Sequence, residues 1–213
     1  MKFELSAYSN TLEAALKNGY KCLSFKDAYT TEYEKSLLVR HDIDMSLDQA
    51  LEIAKTENNV GISSCFFIRL HAKFYNALSV DSKKKMNMME DMGHRIGLHF
   101  EEDFYDTCDI FDAMAMEKSL LDSFLNYKID SIAPHEPSRT GRMTFAARRL
   151  LDVGIKYQAY DKLLFDRFKY ISDSSCRWRD GSFDEHVNDR KTPKIYLLTH
   201  PVWWYYKTPI EVY

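Results

Sequence analysis

Apolar residues along the chain fall into two alternating patterns. Short runs at 21–25, 37–43, 62–70, 95–100, 129–133, 155–159, 170–172 and 195–199 have the length and composition of buried strands and are bounded by polar or turn-forming residues. Between them, 46–57, 82–92, 110–124 and 144–153 carry apolar residues at helical spacing, with Ser46 placed to cap the first. Alternating strands and helices predict an α/β protein built on a mainly parallel sheet. No internal repeat, low-complexity tract or Pro/Gly-rich linker interrupts the alternation. One domain spanning 1–213 is expected.

Composition narrows the function classes. An apolar content of 45% over 213 residues is enough for one substantial core. The net charge of -3, with acids and bases interspersed, gives no basic groove for nucleic acid and no polybasic membrane surface. No apolar stretch approaches the roughly 20 residues of a membrane span, and the N-terminus lacks the apolar core of a secretory signal. A cytoplasmic protein is expected. Cys22, Cys65, Cys108 and Cys176 are far apart and form no Cys-x-x-Cys pair, so they read as reduced core thiols. Oligomeric state is not legible.

The densest chemistry is Arg-His-Asp-Ile-Asp at 40–44, which closes the apolar run beginning at Ser36. Side chains alternate along an extended strand, so Asp42 and Asp44 share a face with Arg40 while His41 and Ile43 take the other. Two carboxylates side by side are unfavourable unless a cation neutralises them or one holds a proton, and both solutions serve catalysis. Capping of the next helix would account for Asp44 alone and would leave Asp42 without a role.

The same position recurs along the chain. His99, His135, Asp173 and His200, like the Asp42/Asp44 pair, each follow a predicted strand by a residue or two. A lone histidine is more often a satisfied structural residue than a ligand. In a parallel α/β barrel, however, the loops after successive strands open on one face, and these residues would converge there.

Taken together, His-Asp-Ile-Asp (41–44), Gly-His-Arg-Ile-Gly-Leu-His (93–99), Ala-Pro-His-Glu-Pro-Ser (133–138), Ser-Asp-Ser-Ser (172–175) and Leu-Leu-Thr-His-Pro (197–201) resemble the polysaccharide deacetylases of carbohydrate esterase family 4. The similarity is greatest to a bacterial subgroup found with surface-polysaccharide biosynthesis, with its Arg-His-Asp-x-Asp opening and Leu-x-His-Pro-x-Trp-Trp close. The resemblance implies a single-domain distorted (β/α)7-type barrel with parallel strands, a divalent metal, usually zinc, and removal of an N-acetyl group from an amino sugar. The substrate it implies is an N-acetylated sugar or sugar precursor of lipopolysaccharide O-antigen or capsule. By the same resemblance Asp42 is the general base, Asp44 and His99 are metal ligands and His200 is the general acid. A catalytically silent sugar-binding or complex-organising protein on the same scaffold is the alternative.

The chemistry agrees with these roles. A zinc ion can lower the pKa of a water to about 7 and polarise an acyl oxygen. Asp42 would take the proton from that water, and a protonated His200 would give one to the departing amine. Asp173 would orient the imidazole and favour its charged form. Arg40, Arg139 or Arg142 would hold the base ionised, and Arg139, Trp203 and Trp204 are candidates to contact the sugar.

The sequence departs from the family pattern at the second metal histidine. Asp103 stands four residues after His99, where the family has His. His94 is five residues before His99 and points to the opposite face of a strand, which suits a structural role. Asp103, Glu101 and His135 are therefore the choices for third ligand. His135 is preferred, because Asp, His, His is the family's usual set and neutral imidazole suits zinc.

Overall fold

The computed structural model describes residues 1–106 and 109–206. All eight predicted strands form: β1 (Lys21–Leu23), β2 (Ser36–Ile43), β3 (Cys65–Ile68), β4 (Arg95–Phe100), β5 (Ser131–Pro134), β6 (Tyr157–Gln158), β7 (Lys169–Ser172) and β8 (Lys194–Thr199). They build one sheet in the order β6-β5-β4-β3-β2-β8-β7, with β1 beside the start of β2, and every pairing is parallel. Neighbours follow chain order from β2 to β6, and β8 returns to the free edge of β2. The path is that of a (β/α)7-type barrel left unpaired between β6 and β7.

Nine α-helices accompany the sheet among the described residues: α1 (Leu5–Lys17), α2 (Phe25–Thr30), α3 (Leu47–Val60), α4 (Val80–Asp91), α5 (Ile110–Asp122), α6 (Pro137–Thr140), α7 (Ala147–Asp152), α8 (Lys162–Arg167) and α9 (Phe183–Asp189). The predicted helices α3, α4, α5 and α7 form within a few residues of their expected limits. Local expectations change in places, and the strands expected over 62–70 and 155–159 are confined to Cys65–Ile68 and Tyr157–Gln158. The strand expected over 21–25 stops at Leu23 because Ser24 caps α2, its hydroxyl accepting the Asp27 amide while the Asp27 carboxylate accepts the Ser24 amide. Helix α1 was not expected, although its buried Leu5, Tyr8, Leu12 and Ala15 have helical spacing.

All eight residues of β2 are buried, as befits a central parallel strand covered on both faces. Its outward Leu37, Val39 and Ile43 join the apolar layer under the helices, with Leu12, Ala50, Ile53 and Ala54. Its inward Leu38 joins Cys65, Phe67, Ala133 and Tyr196 in a second layer that fills the barrel. Gly97 is required there: a Cβ would lie 2.6 Å from the Phe67 ring and 2.8 Å from Ser131 Oγ. Above this plug the inward side chains become polar, starting with Arg40 and Asp42.

The outward face carries its own polar cluster. Glu57 of α3 is fully buried and accepts from Tyr8 Oη (2.5 Å) and Ser64 Oγ (2.6 Å). His41 bridges Glu57 (2.9 Å) and Thr199 (2.6 Å). His94 accepts the Ser64 amide at Nδ1 (3.1 Å) and donates from Nε2 to Ala54 O (3.0 Å), the structural role expected of it. Cys22, Cys65 and Cys176 are free thiols, Cys65 alone of them fully buried, and Cys108 lies outside the described residues. Among the described residues no helix is long and apolar enough to cross a membrane.

Candidate active site

Strand twist and register bring the C-terminal ends of β2, β4, β5 and β8 around one cavity of about 980 Å³, lined by Asp42, Asp44, His99, His135 and His200 among others. A smaller cavity of about 250 Å³ opens at the N-terminal ends of the strands, lined by Leu23, Phe25, Cys65 and Ser131. It holds no comparable set of convergent ligating groups.

Asp44 leaves β2 on the same face as Asp42, as the strand period requires. It does not cap α3, because Ser46 Oγ accepts the Gln49 amide (3.2 Å). Three imidazoles instead turn their Nε2 atoms toward Asp44: His99 at 3.2 Å, His135 at 3.6 Å and His200 at 3.9 Å. His99 is set in this orientation by Nδ1, which donates to Ala133 O on the neighbouring strand (3.0 Å). The ligating atoms of Asp44, His99 and His135 lie within 4.8 Å of one another.

One carboxylate oxygen and two imidazole nitrogens match the donor chemistry of zinc and related divalent cations. Asp44 Oδ1 is buried and has no hydrogen-bond partner, as a ligand atom would be before it meets its ion. These residues fit a divalent metal. Electrostatics point the same way. Burial pushes the Asp44 carboxyl up, but the adjacent His99 and the charges of His200 and His135 outweigh it and hold Asp44 ionised. Burial and the His99 charge hold His135 below the ordinary imidazole value, favouring its neutral, ligating form. His99 is raised, because the charges of Asp42 and Asp44 outweigh its burial.

Asp42 stands beside this group, 3.9 Å from His99 Nε2. Arg40, two residues earlier on the same face, is fully buried and directs Nη2 at Asp42 Oδ2 (3.3 Å). Its guanidinium lies over the Tyr160 ring (4.3 Å to the centroid) and donates to Tyr196 Oη (3.1 Å). The other oxygen, Asp42 Oδ1, is buried with no partner. Of the three arginines considered, Arg40 alone reaches Asp42: Arg142 pairs with Glu102 (3.0 Å) and Arg139 with Asp103 and Glu136. Arg139 still lines the cavity.

His200 follows β8 and donates from Nδ1 to Asp173 Oδ1 (2.6 Å), the residue that follows β7. Asp173 is fully buried and also accepts the His200 amide (3.0 Å) and Trp204 Nε1 (2.8 Å). Burial works against a charged imidazole, yet the Asp173 charge and hydrogen bond prevail and raise His200 to about 9.

The other expected residues divide. Trp203 lines the cavity. Trp204 requires correction as a sugar contact: it is fully buried, packed against Phe3, Tyr8 and Trp178, and its one polar atom is taken by Asp173. The alternative ligands are engaged elsewhere, Asp103 by Arg139 and Glu101 by Arg69 through a two-pronged pair (2.8 and 2.5 Å). Sequence reasoning missed Arg69 and the two tyrosines that seat Arg40, because residue type alone does not mark them. It also missed the left-handed backbone at Glu136 (φ 44°) and Ser175 (φ 62°), both at the cavity, where strained conformations tend to gather.

The sequence matches no family model and no curated protein. Similarity lies in the fold. The Streptococcus pyogenes deacetylase PplD, solved with acetate, aligns over 70% of this chain and 69% of its own at 17% identity, with a TM-score of 0.52. The chain has the fold of the family 4 carbohydrate esterases. A Bacillus anthracis pseudoenzyme of that family, in a variant with restored enzymatic activity, aligns over 79% of this chain at 15% identity with a TM-score of 0.50. The chain spans 57% of that protein's length.

Proposed function

We propose that this protein is a metal-dependent hydrolase that removes the N-acetyl group of an amino sugar, with a cytoplasmic precursor of bacterial surface polysaccharide, O-antigen or capsule, as substrate. One observation carries the reading: Asp42, Asp44, His99, His135 and His200 line one cavity with the three Nε2 atoms turned on Asp44. The fold shared with deacetylases supports it, and the free thiols suit a reducing compartment.

Asp44, His99 and His135 would hold the cation. Zinc bound there would polarise the acyl oxygen and make the attacking water more acidic. Asp42 Oδ1, free of protein partners, accepts the water proton, while Arg40 on Oδ2 fixes the carboxylate in place. His200 carries a proton at neutral pH and delivers it from Nε2 to the amide nitrogen, without which the amine is a poor leaving group. Asp173 holds that ring by Nδ1 and stabilises its charge. Trp203 at the cavity wall offers an apolar face to the pyranose.

The test is acetate release from N-acetyl amino sugars, free and as nucleotide- or lipid-linked conjugates. Exhaustive chelation should abolish it and zinc or cobalt should restore it. Full activity in metal-free protein would overturn the mechanism. Sugar binding with no acetate release by the zinc-loaded protein would instead favour a silent binding protein.

A further inference from the structure

Two of the three imidazoles at the site have both ends accounted for. Nδ1 of His99 donates to Ala133 O and Nδ1 of His200 to Asp173, so each Nε2 is left to face the cavity. His135 breaks the pattern, because its Nδ1 is buried without a hydrogen-bond partner. If Nε2 binds a cation, the neutral ring must carry its proton on Nδ1, and a buried N–H without an acceptor is strongly unfavourable.

An acceptor is close. The β4–β5 register pairs Phe100 with Pro134, so one further step sets Glu101 beside His135. Glu101 Oε1 lies 3.8 Å from His135 Nδ1, less than 1 Å beyond hydrogen-bond contact. Glu101 shares the strand parity of His99 and therefore faces inward. It cannot swing away freely: Arg69 grips both of its oxygens, and the Arg69 amide is fixed to Tyr75 Oη (3.1 Å), which donates to Ile43 O (2.8 Å).

We propose that Glu101 is a positioning residue of the metal centre: clamped by Arg69, it accepts the Nδ1–H of His135 and so fixes the tautomer and ring orientation that present Nε2 to the cation. The proposal rests on the reading of Asp44, His99 and His135 as metal ligands.

Zinc affinity, measured by competition with a chromophoric chelator, tests it in the folded full-length chain carrying Glu101→Ala, Glu101→Gln or His135→Ala. Loss of an outer partner should weaken zinc about 10- to 100-fold in Glu101→Ala. Glu101→Gln should recover most of that loss, since its carbonyl oxygen still accepts from Nδ1. In the zinc-loaded wild type, NMR should show His135 Nδ1 protonated with a downfield, slowly exchanging proton, and Glu101→Ala should move that signal upfield. Unchanged affinity in Glu101→Ala, equal losses in Ala and Gln, or an unprotonated Nδ1 would each overturn the role. If His135→Ala itself binds zinc as tightly as wild type, the ligand reading has failed first. If His135→Ala loses zinc while Glu101→Ala does not, only the positioning role falls.

Discussion

Replacing Asp173 by Asn separates the charge of the His200 partner from its shape. Asp173 accepts from His200 Nδ1, the His200 amide and Trp204 Nε1, all donors. Asn offers one oxygen and turns an NH2 toward at least one donor, leaving it unsatisfied at a cost of about 1–3 kcal/mol. The larger effect is electrostatic. The rise of His200 from its ordinary 6.5 to about 9 corresponds to about 3 kcal/mol of preference for the charged ring, most of it from Asp173, with smaller shares from Asp42 and Asp44. The sign follows from the raised folded-state value: this stability is fully present below about 6.5 and is lost as pH rises through about 9. Urea unfolding of the metal-free proteins should therefore show the Asn variant furthest below wild type in acid, the gap narrowing as pH rises through that window. NMR of the metal-free protein should place the His200 titration near 9 in the wild type and more than about one pH unit lower in the variant. Turnover of the zinc-loaded variant should fall about 100-fold or more, the contribution of a well-placed general acid. A His200 titration that stays put in Asp173→Asn would refute the reasoning.

Arg40→Met removes a fully buried cation and leaves Asp42 without its ion pair, so it should destabilise the protein by about 3–5 kcal/mol in urea unfolding. A loss under about 1 kcal/mol would show the pair to be incidental. His135→Ala should lose zinc in a titration where Asp103→Ala retains it, because Asp103 is already bound by Arg139; the reverse order would transfer the ligand role to Asp103. Burial lowers the His94 pKa, and its Nδ1 is needed as an acceptor, so its contribution to stability is present above about 6.5 and lost as pH falls below it. His94→Gln, which can accept and donate at the same places, should flatten the fall in stability as pH drops below about 6.5; an unchanged slope would assign the acid sensitivity to other groups.

Much of the architecture was readable because its signals are local. A period of two placed Asp42, Asp44 and Arg40 on one face, and the run lengths located all eight strands. Helix α1, with its apolar residues at helical spacing, and the Ser24–Asp27 capping box carry signals that are equally local. The proposed third ligand is different. Family spacing points to the position four residues after His99, where Asp103 stands, while donor chemistry favours His135, which is 36 residues after His99 and is brought alongside only by the β4–β5 pairing.

By itself, then, the chain determined which residues end strands and which side each faces, because backbone geometry sets those properties within a few residues. Tertiary structure decided which strand ends meet. Among Arg40, Arg139 and Arg142 the choice lay with the acids that surround the latter two, Asp103, Glu136 and Glu102, and with Tyr160, from the turn after β6, and Tyr196 of β8, which seat Arg40 from far along the chain. Trp203 and Trp204 are adjacent and alike in type, yet one lines the cavity and the other is buried behind Asp173, because a short turn of 3-10 helix at Pro201–Trp203 sends them in different directions. Partners of this kind are set by sheet curvature and register, which depend on packing across the whole core and leave no mark in a short window of sequence.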